Sequence, residues 1–223
     1  MTPSFKAGLK AGSTLVPTFI AIFTAVGIAA QVQGVSFFAS LWMTVLMYSA
    51  PAQFAMMDVA AQGGIWVQAA LVGILVNLRF FIMSMSLSTL FRGVSRSRLA
   101  LWAQFVSASS YLLTFFRSRK DADTDMFAFF RGVVWMTFST AVIGTLIGVL
   151  LGVGMPALFN FGAALFLPLY FALLLVSENM NRAEIHATLI GLVATPVLEV
   201  LLPGWGLIIA ALAAGSLVTG IEQ

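Results

Sequence analysis

Apolar residues fill this chain in long blocks separated by short polar connections. Eight blocks can be counted, at about 14–32, 37–60, 65–90, 99–116, 128–151, 157–176, 185–202 and 204–221. A helix rises about 1.5 Å per residue and bilayer hydrocarbon is about 30 Å thick, so most of the blocks are long enough to span it. The pattern predicts an all-α, polytopic helical membrane protein, with residues 1–223 forming one transmembrane domain. The block at 99–116 is the least apolar, because Gln104, Ser107, Ser109, Ser110 and Thr114 interrupt it. It reads either as a span or as a packed interior or re-entrant helix, which leaves the count at eight spans or seven.

The stretch from Leu46 to Met83 organises the rest. Two apolar blocks fold back here around Gln62-Gly63-Gly64; Tyr48-Ser49-Ala50-Pro51-Ala52-Gln53 interrupts the first, and Asn77-Leu78-Arg79 the second. Counted outward from the turn, Tyr48 and Arg79 are equally deep, each about 23 Å away at the helical rise. Asn77 falls opposite Ala50 by the same count. Pro51 lacks a backbone donor and clashes with the preceding turn, which frees carbonyls near Met47. Open backbone inside a bilayer persists only where protein or a cavity satisfies it. A buried arginine costs about 2.5–3.5 kcal/mol on insertion scales and faces the bundle interior. One arrangement relieves both costs: Arg79 faces the broken helix across a polar cavity. This predicts a substrate site near the midplane, built from Tyr48, Ser49, Pro51, Gln53, Asn77 and Arg79. The plainer alternative is that Arg79 only ties down the frayed carbonyls.

Other features bear on architecture. Pro51, Pro168 and Pro196 lie well inside their blocks. Broken helices at matching places in two halves mark some transporter sites, and Pro51 and Pro196 are an odd number of segments apart, so an inverted repeat is possible. Gly144-xxx-Gly148-xxx-Gly152 forms a groove for close helix approach, with an internal partner the commoner choice over a second polypeptide. Asp123 or Asp125 is placed to cap the helix that starts near Met126. Asp58, Glu199 and His186 read as interfacial or solvated.

Composition narrows the class. Of 223 residues, 61% are hydrophobic and 9% charged, and the mean hydropathy is +1.03; a soluble domain has about a quarter of its residues charged. The net charge of +3 comes from scattered loop residues and suits anionic lipid, not nucleic acid. No cysteine and a single histidine leave no thiolate chemistry and no histidine-rich metal site. No nucleophile–base motif appears, so neither an enzyme nor a cofactor is expected. Lys6 and Lys10 before an apolar run imitate a signal peptide, with Gly27-Ile28-Ala29 as a weak cleavage site. Since further spans follow, the run reads as an uncleaved first span. With eight spans, seven Lys and Arg lie on the N-terminal side (Lys6, Lys10, Arg117, Arg119, Lys120, Arg131, Arg182) against three opposite (Arg92, Arg96, Arg98). That balance puts both termini in the cytoplasm, and a re-entrant segment nearby would account for the Arg92–Arg98 cluster.

Three places resemble the AzlC family of branched-chain amino acid permeases. They are Phe5-Lys6-Ala7-Gly8-Leu9 to Pro17 with Gly27; Tyr48-Ser49-Ala50-Pro51-Ala52-Gln53-Phe54; and Val76-Asn77-Leu78-Arg79-Phe80, which looks like the family's Asn-x-Arg motif. Two places depart from it. Phe80 stands where a histidine often follows the arginine, and Ser107-Ala108-Ser109-Ser110-Tyr111 stands where an acidic pair often precedes an aromatic. Proton coupling and the exact substrate are therefore not carried over. The resemblance implies a secondary transporter subunit that exports branched-chain or similar apolar amino acids across the inner membrane, with a small AzlD-type membrane subunit as partner. That subunit would dock on the Gly144–Gly152 groove or the last span. In this reading Arg79 attracts the carboxylate, carbonyls around Tyr48–Pro51 with Gln53 and Asn77 hold the ammonium, and Phe54, Met56 and Phe80 cover the side chain. A channel-like pore and a non-transporting scaffold subunit are the alternatives.

Overall fold

A computed structural model describes residues 2–91, 93–121, 124–154 and 182–202, with positions 205, 206, 209, 210, 212, 213 and 216. The described residues are helical, without strands. The helices are α1 (Pro3–Ser13), α2 (Val16–Val32), α3 (Phe37–Met47), α4 (Ala50–Ala61), α5 (Trp66–Ser88), α6 (Arg96–Ala103), α7 (Ala108–Lys120), α8 (Met126–Gly152) and α9 (Arg182–Leu201).

Helix α8 is the axis of the bundle. Asp125 caps it, its carboxylate accepting from the Ala128 amide at 3.0 Å, as the sequence predicts. The loop before it is structural: Arg117 pairs with Asp121 at 2.7 Å and also donates to Thr124 at 3.2 Å. The glycines of α8 let two helices approach at backbone contact. A Cβ on Gly132 would collide with the Phe5 carbonyl oxygen of α1, and one on Gly148 with the Thr24 carbonyl oxygen of α2. Glycine is the residue that permits such approach in lipid, where packing must replace the hydrophobic effect. The Gly144–Gly152 groove is thus filled from within the chain by α2. That corrects the expectation that it could receive a small subunit.

The span count of seven or eight is not reached among the described residues. Two helices, α5 and α8, are long and apolar enough to cross a membrane, and the α1–α2 pair, bent by 61°, makes a third if it is one span. At about 1.5 Å per residue, the 23 residues of α5 and 27 of α8 reach about 35 and 40 Å. On α5 a stripe of Leu71, Ile74, Leu78, Ile82 and Met85 lies exposed, the face expected to meet lipid. The blocks at 37–60 and 99–116 are each two short helices with an opening between them, α3/α4 and α6/α7. The block at 157–176 and much of that at 204–221 lie outside the described residues.

Two further expectations change. The first apolar block is preceded by a helix that hydropathy does not reveal, because Lys6 and Lys10 interrupt it. In α1 both lysines are exposed while Gly8 and Gly12, one turn apart, are buried against α8. Pro17, at the second position of α2, removes the donor that would continue α1 into α2. Pro196, in contrast, opens nothing: α9 runs through it. The broken-helix pair of Pro51 and Pro196 proposed for an inverted repeat is therefore absent. The second opening lies at Gln104–Ser107, and Pro168 lies outside the described residues.

Candidate functional site

The chain leaves α3 at Tyr48 and starts α4 at Ala50, with Pro51 in the second position of the new helix. Tyr48 takes φ 41° and ψ 37°, the left-handed region, the one non-glycine residue with positive φ among those described. A bulky side chain there costs on the order of 1–3 kcal/mol and persists only where surroundings over-determine it. Here they do. The ring is 3% exposed and packs on Phe19, Phe23, Phe105 and Phe138, at centroid distances of 5.3–6.5 Å. Its hydroxyl donates to Thr137 of α8 at 2.7 Å.

The opened backbone is tied down from the second opening. Gln104, just beyond α6, donates its Nε2 to the Leu46 carbonyl at 2.9 Å. Behind the opening, Gln53 is 0% exposed; its Oε1 accepts from Thr44 at 3.0 Å, and Thr44 shares a 2.8 Å hydrogen bond with Thr145 of α8. Hydroxyls of α8 thus hold the end of α3, and Thr44 in turn links it to α4 through Gln53.

A cavity of about 130 Å³ lies where the two openings meet, several times the volume one water needs. Tyr48, Ser49, Ala50 and Pro51 form one wall. Ser107, Ala108 and Ser109, at the start of α7, line it as well. Helix α2 contributes Thr18, Phe19, Ile22 and Phe23, and α5 contributes Arg79 and Phe80. Arg79 shares a helix face with Gln68 and the fully buried Val72. It nevertheless keeps substantial exposure, which places it at the cavity rim rather than sealed inside. Its guanidinium lies 4.7 Å from the Phe80 ring centroid, a cation–π contact.

Of the six residues picked from the sequence, the structure gathers Tyr48, Ser49, Pro51 and Arg79 around this cavity. Gln53 and Asn77 do not line it. Gln53 Nε2 and Asn77 Oδ1 are both buried without a hydrogen-bond partner. Phe80 is at the cavity, whereas Phe54 and Met56 pack in neighbouring apolar clusters. Sequence reasoning missed the α7 wall and Gln104, although their polar run was the visible signal: it marked 99–116 as the weakest block. Among the described residues no group of acids and histidines could hold a metal ion.

The AzlC protein family matches residues 14–155, well over half of the chain. The chain belongs to the AzlC family. The matched span runs from the start of α2 through α8 and includes both openings and every residue of the cavity. AzlC proteins are associated with branched-chain amino acid transport and not with catalysis. No curated protein and no solved structure matches the chain. For this AzlC protein, a small cavity with one cationic side chain, several hydroxyls and phenylalanine walls is suited to a compact ligand with an apolar end and a charged end.

Proposed function

We propose that the chain is the translocating subunit of a secondary transporter that exports branched-chain or similar apolar amino acids by alternating access. The observation that carries this reading is the meeting of Tyr48, Ser49, Pro51 and Arg79 at one cavity beside two helix openings. Transporter sites of this kind use interrupted helices because irregular backbone in a bilayer is stable only along a cavity. Arg79 draws the substrate carboxylate to the rim. Phe19, Phe23 and Phe80 cover the side chain. Gln53 and Asn77 support the site from behind, and their unpaired buried atoms are available to a second state in which the opening rearranges. The protein sits in the inner membrane with seven or eight spans and both termini in the cytoplasm. It works with a small AzlD-type membrane subunit, seated away from the occupied α8 groove.

Radiolabelled leucine efflux from vesicles tests the reading. Arg79→Ala protein that inserts normally should lose at least about tenfold in rate, the loss of a charge-assisted hydrogen bond. Efflux at the wild-type rate would remove Arg79 from the site. Unlabelled leucine on the far side should accelerate efflux, as a carrier requires and a pore does not.

A further inference from the structure

The cavity has an electrostatic sign of its own. It is bounded by the first turns of two helices, α4 and α7, of 12 and 13 residues. Each helix start carries about half a positive charge and backbone amides with no intrahelical acceptor, at α4 those of Ala50 and Ala52 because Pro51 has none. At α7 the Ser107 hydroxyl caps the Ser110 amide at 3.2 Å. At α4 the equivalent serine behaves differently. Ser49 makes no capping bond; it is 3% exposed, it lines the cavity, and its hydroxyl is buried without a partner. A buried hydroxyl left unpaired beside two helix starts has the place and chemistry of a ligand donor. No carboxylate lines the cavity among the described residues; the charge it holds is that of Arg79. Among the described residues an ammonium would meet only uncharged acceptors, whereas a carboxylate would meet the starts of α4 and α7 and the Ser49 hydroxyl, with the Arg79 guanidinium at the rim.

We infer that the cavity recognises its ligand by the carboxylate, seated between the starts of α4 and α7 on the Ser49 hydroxyl, and that the ammonium is dispensable. This rests on the transport reading above and specifies its ligand class as apolar monocarboxylates, with the α-oxo acid analogues of branched-chain amino acids included. The distinction is large, because a site built around one charged group rejects analogues that lack it far more strongly than analogues altered elsewhere.

The test uses the full chain in lipid nanodiscs, with leucine, its α-oxo acid and leucinamide as probes. Displacement of radiolabelled leucine and ligand-dependent melting shifts are both read. The α-oxo acid should displace leucine within about tenfold of leucine itself, and leucinamide should be at least roughly a hundredfold weaker. Ser49→Ala should weaken leucine and the α-oxo acid alike by about tenfold, the scale of a charge-assisted hydrogen bond. Its melting temperature without ligand should not fall, because the hydroxyl has no protein partner. Leucinamide displacing as well as leucine, or an α-oxo acid that does not displace, overturns the inference and leaves amino acid transport standing. A melting shift with the α-oxo acid but none with leucine supports the inference and overturns the amino acid reading. No shift with either overturns both.

Discussion

Replacing Gly148 by alanine tests the helix contact that shapes the cavity. A Cβ there would strike the Thr24 carbonyl oxygen and lie 2.9 Å from the Gly27 Cα, both backbone atoms, so no rotamer change can relieve it. Helix α2 has to part from α8 by on the order of 1 Å before ordinary van der Waals spacing returns. Overpacking of this kind costs about 1–3 kcal/mol, offset by about 0.5–1 kcal/mol from the better helix propensity of alanine. Gly191, in α9, provides the control: among the described residues a Cβ there meets nothing within 4 Å, so Gly191→Ala keeps the propensity gain without the collision. The difference between the two variants isolates the collision. At about 2–4 °C per kcal/mol for a chain of this size, Gly148→Ala should melt roughly 2–12 °C below Gly191→Ala in detergent. Because α2 brings Thr18, Phe19, Ile22 and Phe23 to the cavity, Gly148→Ala should also weaken leucine binding while Gly191→Ala does not. Equal melting temperatures for the two would refute the backbone contact, and with it the account of why α2 stands where it does. Gly27→Ala added to Gly148→Ala should cost less than the sum of the two, since helices already parted accept the second methyl more cheaply.

Tyr48→Phe removes the hydroxyl bonded to Thr137, whose own hydroxyl still donates to the Val133 carbonyl. The expected loss is about 0.6 kcal/mol, against about 3–5 kcal/mol for Tyr48→Ala, which empties the ring's site among four phenylalanines; denaturant titration in mixed micelles separates them, and equal losses would mean that ring packing does not hold the opening. Gln104→Leu leaves the exposed Leu46 carbonyl without its donor, at a cost of about 0.5–1.5 kcal/mol, and amide exchange over residues 48–53 should quicken while that of α8 stays unchanged. Asp125→Ala removes the α8 cap and should cost about 1 kcal/mol in the same titration, with Asp125→Asn retaining most of the stability.

Hydropathy made the long helices legible: the blocks at 65–90 and 128–151 are α5 and α8 within two residues at each end. It measures how long a chain stays apolar, not whether its hydrogen-bond ladder is continuous. Helix α1 escaped because two lysines on its solvent face hide the glycines that dock it. The prolines make the limit plain. Pro51 and Pro196 each delete one donor, yet the chain opens at the first and stays helical through the second. A missing donor permits an opening; something else has to stabilise the opened form. At Pro51 that is the Gln104 amide on the Leu46 carbonyl and four aromatic rings around a left-handed Tyr48, all supplied from distant parts of the chain. No local pattern reports them.

The site was legible in depth and less so in direction. Counting residues from the turn at Gly63 put Tyr48 and Arg79 on one level, and both border the cavity, because helical rise is the same for every side chain. Rotation is not. Asn77 is two residues from Arg79, about 200° around the helix at 3.6 residues per turn, so a straight α5 cannot turn both toward one cavity. Depth selects a level and helical phase selects the residues on it; the second count was equally available from the sequence. The α7 wall was harder to see for a different reason. Its serines lower the apolar content of the block, and a drop in hydropathy suggests a poor span before it suggests a helix start. Yet Ser107 and Ser110 cap each other reciprocally, the local pattern with which a helix begins. Inside a bilayer, where the amides of a new helix start need partners, the serine pair supplies them at α7, whereas Ser49 makes no capping bond at α4; that difference, and not hydropathy, distinguishes the two starts that line the cavity.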